Sequence, residues 1–309
     1  MINRKKEFNL DRNVKILDSG MGKTLAMRGI DVPNTIWSAN ALLVAPDAVL
    51  EVHNENIEAG ADIITTNSYG IILSDLKKEG LEDRFDELNL LAGEIAQQAS
   101  KASERNILVA GSLPPQNGSY RPDRVLDETV LIALYTRQMK LLEPSVDFFL
   151  FETMSSIKEA VAALKAASDF SIPVMIGLTL HDRKTNSLRS GESLTDCIEL
   201  LRSFVPLGIL ANCCLPERIT DAMALLVGSG AHYVGGYGNA FSCVPEDWLL
   251  DGRKSTDGSL QMREDLTPSF YADFALNWIE QGANIVGGCC GTTAHHIHEI
   301  SCRVANSET

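Results

Sequence analysis

The segment NIVGGCCGTT, residues 284–293, decides the fold, because it opens the last of eight units in which a short apolar run precedes a longer amphipathic one. Outward from it, the strand-like runs are 14–19, 62–68, 106–113, 146–154, 173–180, 208–214 and 231–240. Stretches with helical spacing cover 45–61, 81–104, 127–142, 156–168, 195–204, 216–230 and 268–282, and 293–304 completes the eighth pair. Strands alternating with helices imply right-handed βαβ units and a parallel sheet. Since the strand runs are apolar rather than alternating, both of their faces are expected to be covered. Eight such units favour a single (β/α)8 TIM barrel, class α/β, over an open doubly wound sheet. No linker, low-complexity segment or short repeat interrupts 1–309, which reads as one domain.

The same segment poses a chemical question through its adjacent Cys289 and Cys290. Neighbouring Cα atoms lie ~3.8 Å apart, short of the ~4.4 to 6.8 Å that disulfides usually span. With seven cysteines, an odd number, and no secretory signal in MINRKKEFNLDRNV, reduced thiols are expected, with metal binding or catalysis as their roles. No run of about 18 apolar residues appears, so no membrane span is expected, and a cytoplasmic location is the simplest reading. Hydrophobic residues make up 45% and charged residues 22%, which is ordinary for a globular protein with a sizeable core. Formal net charge is −14 and no Lys/Arg-rich segment is long enough to track a phosphate backbone, which argues against nucleic acid as a partner.

In such barrels chemistry gathers at the C-terminal ends of the strands. Those ends carry Asp18, Thr66 to Ser68, Glu152, Cys213, Asn239 and the Cys289–Cys290 pair. Strands six and eight are separated by one strand, so their ends lie ~10 Å apart from the ~4.8 Å strand spacing, a gap that converging side chains can close. Three thiolates suit Zn2+ and leave a fourth position for substrate or water. The glycines of GGCCG allow the sharp turn through which two adjacent side chains can face one ion. Cys214, by adjacency, and Cys243, in the loop after strand seven, are rival ligands. Cys197 and Cys302 read as small buried fillers. His295, His296 and His298 form an alternative cluster, read instead as a solvated helix surface.

Taken together, ILDSGM, NSY, FET, ANC and GGCCGT, in that order after strands one, two, four, six and eight, resemble the homocysteine S-methyltransferase family over nearly the whole chain. The resemblance implies a barrel binding one zinc ion through Cys213, Cys289 and Cys290, with the homocysteine sulfur in the open position. It also implies that Asn239 takes that position in the absence of substrate. Asp18, the backbone of Ser19, Gly20 and Met21, and Glu152 match the positions that hold the amino-acid end of homocysteine, with Thr66, Asn67 and Ser68 lining the same pocket.

Chemically, a free thiol has a pKa near ~8.5, and coordination to a metal deprotonates it outright. Three cysteinates and a substrate thiolate around zinc carry net charge −2. That excess keeps electron density on the attacking sulfur and draws in a cationic methyl donor.

Two departures bear on the substrates. DSGM stands where relatives have DGAM, and GSLPPQNGSYRPD replaces the family's GSxGP pattern on the donor side. The chain ends soon after its eighth helix, so a stand-alone enzyme using S-methylmethionine or S-adenosylmethionine is expected, with a betaine- or other dimethylsulfonium-dependent enzyme as the alternative. A zinc-dependent homocysteine binder or sensor, and a zinc hydrolase, are further readings. A homodimer is the assembly this reading allows.

Overall fold

Eight short parallel strands form where the apolar runs predict them, and the helices between them cover the outside. A computed structural model describes residues 14–246, 248 and 260–307. The cationic residues 1–13 and both ends of the 1–309 domain reading lie outside the described residues.

The first half comprises β1 (Lys15–Ile16), α1 (Met21–Met27), α2 (Asn40–Val44), α3 (Pro46–Glu58), β2 (Ile63–Thr65), α4 (Leu73–Lys78), α5 (Phe85–Ala102), β3 (Leu108–Leu113), α6 (Glu128–Leu142) and β4 (Phe148–Met154). The second runs α7 (Ile157–Ala167), β5 (Val174–Leu178), α8 (Leu194–Arg202), β6 (Gly208–Asn212), α9 (Pro216–Val227), β7 (Tyr233–Gly238), α10 (Pro268–Glu280), β8 (Ile285–Gly288) and α11 (Ala294–Ser307). Each strand pairs with its sequence neighbour, and β1 pairs with β8, Lys15 opposite Ile285. A parallel bridge between Leu17 and Ile63, with the Asp62 amide donating to Ile16 O at 2.8 Å, closes the ring between β1 and β2. The expected (β/α)8 barrel is therefore the observed fold.

Because the sheet is closed, both strand faces are buried. Leu17, Ile63, Leu108, Ala110, Phe148, Leu150, Met175, Leu210 and Ile285 form one buried cluster inside the ring. The alternate residues Phe149 and Phe151 of β4 belong to the layer beneath the helices, where Phe151 meets the ring of Tyr135 edge-on at 5.0 Å. This two-sided burial is the physical reason the strand segments are apolar throughout.

The strands are shorter than the runs that predict them, β2 covering only Ile63–Thr65 of 62–68, and two further details differ from the sequence reading. Strand one was expected over 14–19 but is laddered only at Lys15–Ile16, because beyond it Asp18 turns its carboxylate toward β2. The short helices α1, α2 and α4 were not anticipated: at seven, five and six residues they fall below the window in which helical periodicity is readable. α1 and α2 lie in the β1–β2 connection and α4 follows β2.

Candidate active site

The C-terminal ends of the strands surround a cavity of about 380 Å3 whose wall includes Asp18, Glu152, Cys213, Cys289 and Cys290. On the sulfur side, the Sγ atoms of the three cysteines lie within 4.8 Å of one another, and Cys213 and Cys290 are 3.6 Å apart. None is in a disulfide. Tetrahedral Zn–S bonds of ~2.3 Å would place two sulfurs ~3.8 Å apart, so the triad matches the donor type and spacing of a three-thiolate site. Cys214 instead sits in the core layer beneath the helices, and Cys243 is exposed. Among the described residues neither rival joins a metal-ligating group.

Backbone shape explains the convergence. Cys213 occupies the left-handed region with φ 52°, which costs a residue bearing a Cβ about 1–2 kcal/mol. Its backbone is braced there, with its amide donating to Tyr237 O at 3.1 Å and its carbonyl accepting from Thr179 Oγ1 at 3.2 Å. On the β8 side the chain bends through Gly291 at φ 83°. A Cβ on Gly288 would lie 2.2 Å from Thr292 Oγ1, and one on Gly20 would lie 2.6 Å from Cys289 O. The glycines thus admit both the turn and the close approach of the β1 loop. Hydrogen bonding with Cys289 and Cys290 holds Cys213 well below the ordinary thiol range. The bonds to Cys213 push Cys289 and Cys290 above that range.

Across the cavity, Asp18 accepts from the Thr65 amide at 2.7 Å and from Thr65 Oγ1. Burial pushes Asp18 up to about 8, opposed by the Thr65 amide and assisted by the charge of Glu152. Burial likewise raises Glu152 to about 7, even though its carboxylate accepts from Ser112 Oγ. Two carboxyl groups that are costly to ionise together make this wall a receptor for a cation.

The remaining sequence-derived positions divide. Ser19, Gly20, Met21, Thr66 and Asn67 line the cavity. The Ser19 amide and hydroxyl are both engaged by Asn56 Oδ1, at 3.0 and 2.8 Å, and the Gly20 amide points to Thr292 Oγ1 at 3.4 Å. Asn67 is tied to Ser38 through both its amide nitrogen and its oxygen. Ser68 turns away, donating to Ser112 O at 2.6 Å. Asn239 is buried, its Oδ1 accepting from the Phe241 amide at 3.4 Å, and it is not part of the cavity wall.

Outside the cavity, His296 is buried rather than solvated, with Nδ1 facing the Thr293 amide at 3.1 Å. Cys197 is a buried filler as expected, whereas Cys302 is exposed.

Several wall residues were not anticipated. Thr65 rather than Thr66 holds Asp18; it is the last residue of β2, and only the register of the short strand distinguishes the two. Thr153, at φ 63°, exchanges hydrogen bonds with Asn212 at 2.9 and 3.1 Å, so the asparagine before Cys213 braces the strand end after Glu152. Tyr120 sits in the loop after β3 with its hydroxyl 2.8 Å from Cys213 Sγ. Trp37, Tyr120, Thr153 and Cys213 are four of the six non-glycine residues with positive φ among the described residues, and all four line the cavity. Such strain persists only where surrounding contacts enforce it.

A parallel barrel whose mouth joins a thiol triad that could hold a metal ion to a pair of buried carboxyl groups has the outline of an enzyme site. Residues 15–304 match the homocysteine S-methyltransferase family, and the chain belongs to that family of S-methyltransferases. It is 28% identical to the selenocysteine methyltransferase of Astragalus bisulcatus, over 92% of this chain and 90% of that protein. It is 26% identical to homocysteine S-methyltransferase 1 of Zea mays, over 93% of each. The metallated form of the homocysteine methyltransferase MmuM from Escherichia coli superposes with a TM-score of 0.80 at 24% identity, covering 95% of this chain and 97% of that one, a likeness of fold.

Proposed function

We propose that the chain is a zinc-dependent homocysteine S-methyltransferase, transferring a methyl group from a small onium donor to the acceptor sulfur to give methionine. The observation that carries this reading is the convergence of Cys213, Cys289 and Cys290 opposite Asp18 and Glu152 in one cavity. In this account the three cysteines hold one Zn2+, which when bound supplies a coordination site that keeps the acceptor thiol deprotonated at neutral pH.

The chain's own residues perform the rest. Asp18 and Glu152 receive the α-ammonium group, whose charge offsets the cost of ionising two buried carboxyls. Ser19, Gly20, Met21, Thr66 and Asn67 shape that end of the pocket, and Ser68 supports it from behind through Ser112. Trp37, Tyr69, Tyr120 and Phe241 contribute aromatic faces to the wall, a surface that suits a sulfonium or quaternary ammonium group. As the new carbon–sulfur bond forms, the bond from the methyl carbon to the donor's onium centre breaks, and the donor leaves as a neutral thioether or amine with that electron pair.

S-methylmethionine or S-adenosylmethionine is the favoured donor, with betaine or a dimethylsulfonium compound as the alternative. The test is product formation from homocysteine across these four donor types, with and without a chelator. Selenocysteine joins the panel as a second acceptor because of the Astragalus relative. Methionine formed with one donor and lost on chelation is expected; bound metal and bound homocysteine with no product from any donor would replace the enzyme reading with a binder.

A further inference from the structure

The loop after β3 brings Tyr120 onto the sulfur triad. The residue is buried, its backbone is held at φ 62°, and its hydroxyl lies 2.8 Å from Cys213 Sγ. Neither a free loop nor ordinary packing explains that combination, since a left-handed tyrosine is costly and its phenol must find a partner when buried. Tyr120 packs with Cys213, Val244 and Trp248 in a small cluster at the cavity rim.

Behind the ring lies a second buried device. The Arg189 guanidinium is 5.9 Å from the Tyr120 ring centroid and pairs with Asp182 at 3.4 Å, both side chains being almost fully enclosed (5% and 4% exposed). Arg189 also donates to Val244 O at 2.9 Å and Pro245 O at 2.6 Å, while Asp182 accepts from the amides of Leu215 at 3.3 Å and Val244 at 2.8 Å. One ion pair therefore ties the loops after β5, β6 and β7 together and backs the Tyr120 ring. Enclosing such a pair is expensive unless all its hydrogen-bonding capacity is used, and here it is spent on fixing the rim of the site.

Resting on the metal-centre reading above, we propose that Tyr120 is a positioning residue of that centre: its phenol donates a hydrogen bond to the Cys213 sulfur, fixing that ligand's orientation and drawing off part of its charge, and the Arg189–Asp182 pair anchors the ring in place. A site that gathers three or four thiolates has excess negative charge, and an O–H donor on one ligand relieves it without occupying the position reserved for the acceptor. Partners that hold a ligand from behind tune a metal in this way.

The experiment uses the full chain loaded with one cobalt(II) ion and no methyl donor, comparing wild type with Tyr120→Phe at cobalt concentrations that fill both. A hydrogen bond lowers the energy of the sulfur lone pair, so its loss moves the sulfur-to-cobalt charge-transfer band to longer wavelength. Cys213 remains a ligand throughout, and the displacement is expected to persist when homocysteine is added to saturation. Coincident bands in both states overturn the proposal. A difference erased by homocysteine overturns it as well, since the phenol oxygen would then be a ligand that the acceptor displaces. Arg189→Gln, which keeps the phenol, is expected to give a smaller displacement in the same direction, and an unmoved band there removes the anchoring role. If wild type takes up no cobalt, the metal centre itself is refuted, a failure visible before any variant is compared.

Discussion

The two walls of the cavity are built by different means. On the sulfur wall the positions are set by backbone geometry: Cys213 is forced to φ 52°, Gly291 turns at φ 83°, and Gly20 and Gly288 leave no room for a Cβ. On the carboxyl wall they are set by hydrogen bonds to the carboxylates, from the Thr65 amide and hydroxyl to Asp18 and from the Ser112 hydroxyl to Glu152. Under the proposed function the difference follows from what each wall must do. Sulfurs that share one ion have to meet within a few ångströms, which rotamers alone cannot achieve for two adjacent residues. Carboxyl groups that receive an ammonium need only face the same space, and their chemistry is adjusted through burial.

The contrast predicts its largest effect on the sulfur wall. Replacing Cys213, Cys289 or Cys290 singly with alanine is expected to abolish metal retention and turnover, while Cys243→Ala and Cys302→Ala leave metal content at wild-type level, as read by metal analysis of the purified protein. Retention after Cys213→Ala would dissolve the triad.

Next comes the packing that shapes that wall. Gly288→Ala must displace Thr292, and overpacking of this kind costs about 1–3 kcal/mol in a denaturant midpoint experiment. On the other wall, Asp18→Asn removes one partner of an ammonium group, worth roughly 1.5–3 kcal/mol, or roughly a 10- to 150-fold rise in the KM for homocysteine, with metal content unchanged. If metal were lost too, the walls would not be separable.

Acid–base behaviour sharpens the comparison further. Asp18 is raised from 3.8 to about 8 and therefore binds more protons folded than unfolded between those values. Its contribution favours the fold below about pH 4 and is lost as pH rises toward 8. Unfolding measured across that window should show stability falling with pH in wild type and a flatter profile in Asp18→Asn. The smallest expected effect concerns strain alone: Cys213→Gly should be more stable than Cys213→Ala by about 1 kcal/mol, because only glycine occupies the left-handed region without penalty.

How much of this was readable in the sequence follows from the same physics. Apolar strands and amphipathic helices have periods that survive in a single chain, so all eight units and the barrel were legible. The thiol triad was legible because GGCCG is locally unusual and Cys213 ends an identifiable strand. Contacts made across the mouth were not. That Thr65 and not Thr66 reaches Asp18 depends on where β2 ends, and that Ser19's amide is spoken for depends on Asn56 in α3. Tyr120 lay in a loop noted for departing from the family pattern, yet nothing in SYRPD tells that its hydroxyl reaches a sulfur 93 residues away. The Arg189–Asp182 staple joins three loops and has no sequence signature at all.

The most direct measurement of the central claim is X-ray absorption at the zinc edge of the purified chain, before and after homocysteine. One zinc with three sulfur neighbours, rising to four when homocysteine is added, is the predicted result. Fewer than three sulfurs at the start, or a coordination shell that homocysteine leaves unchanged, would contradict it.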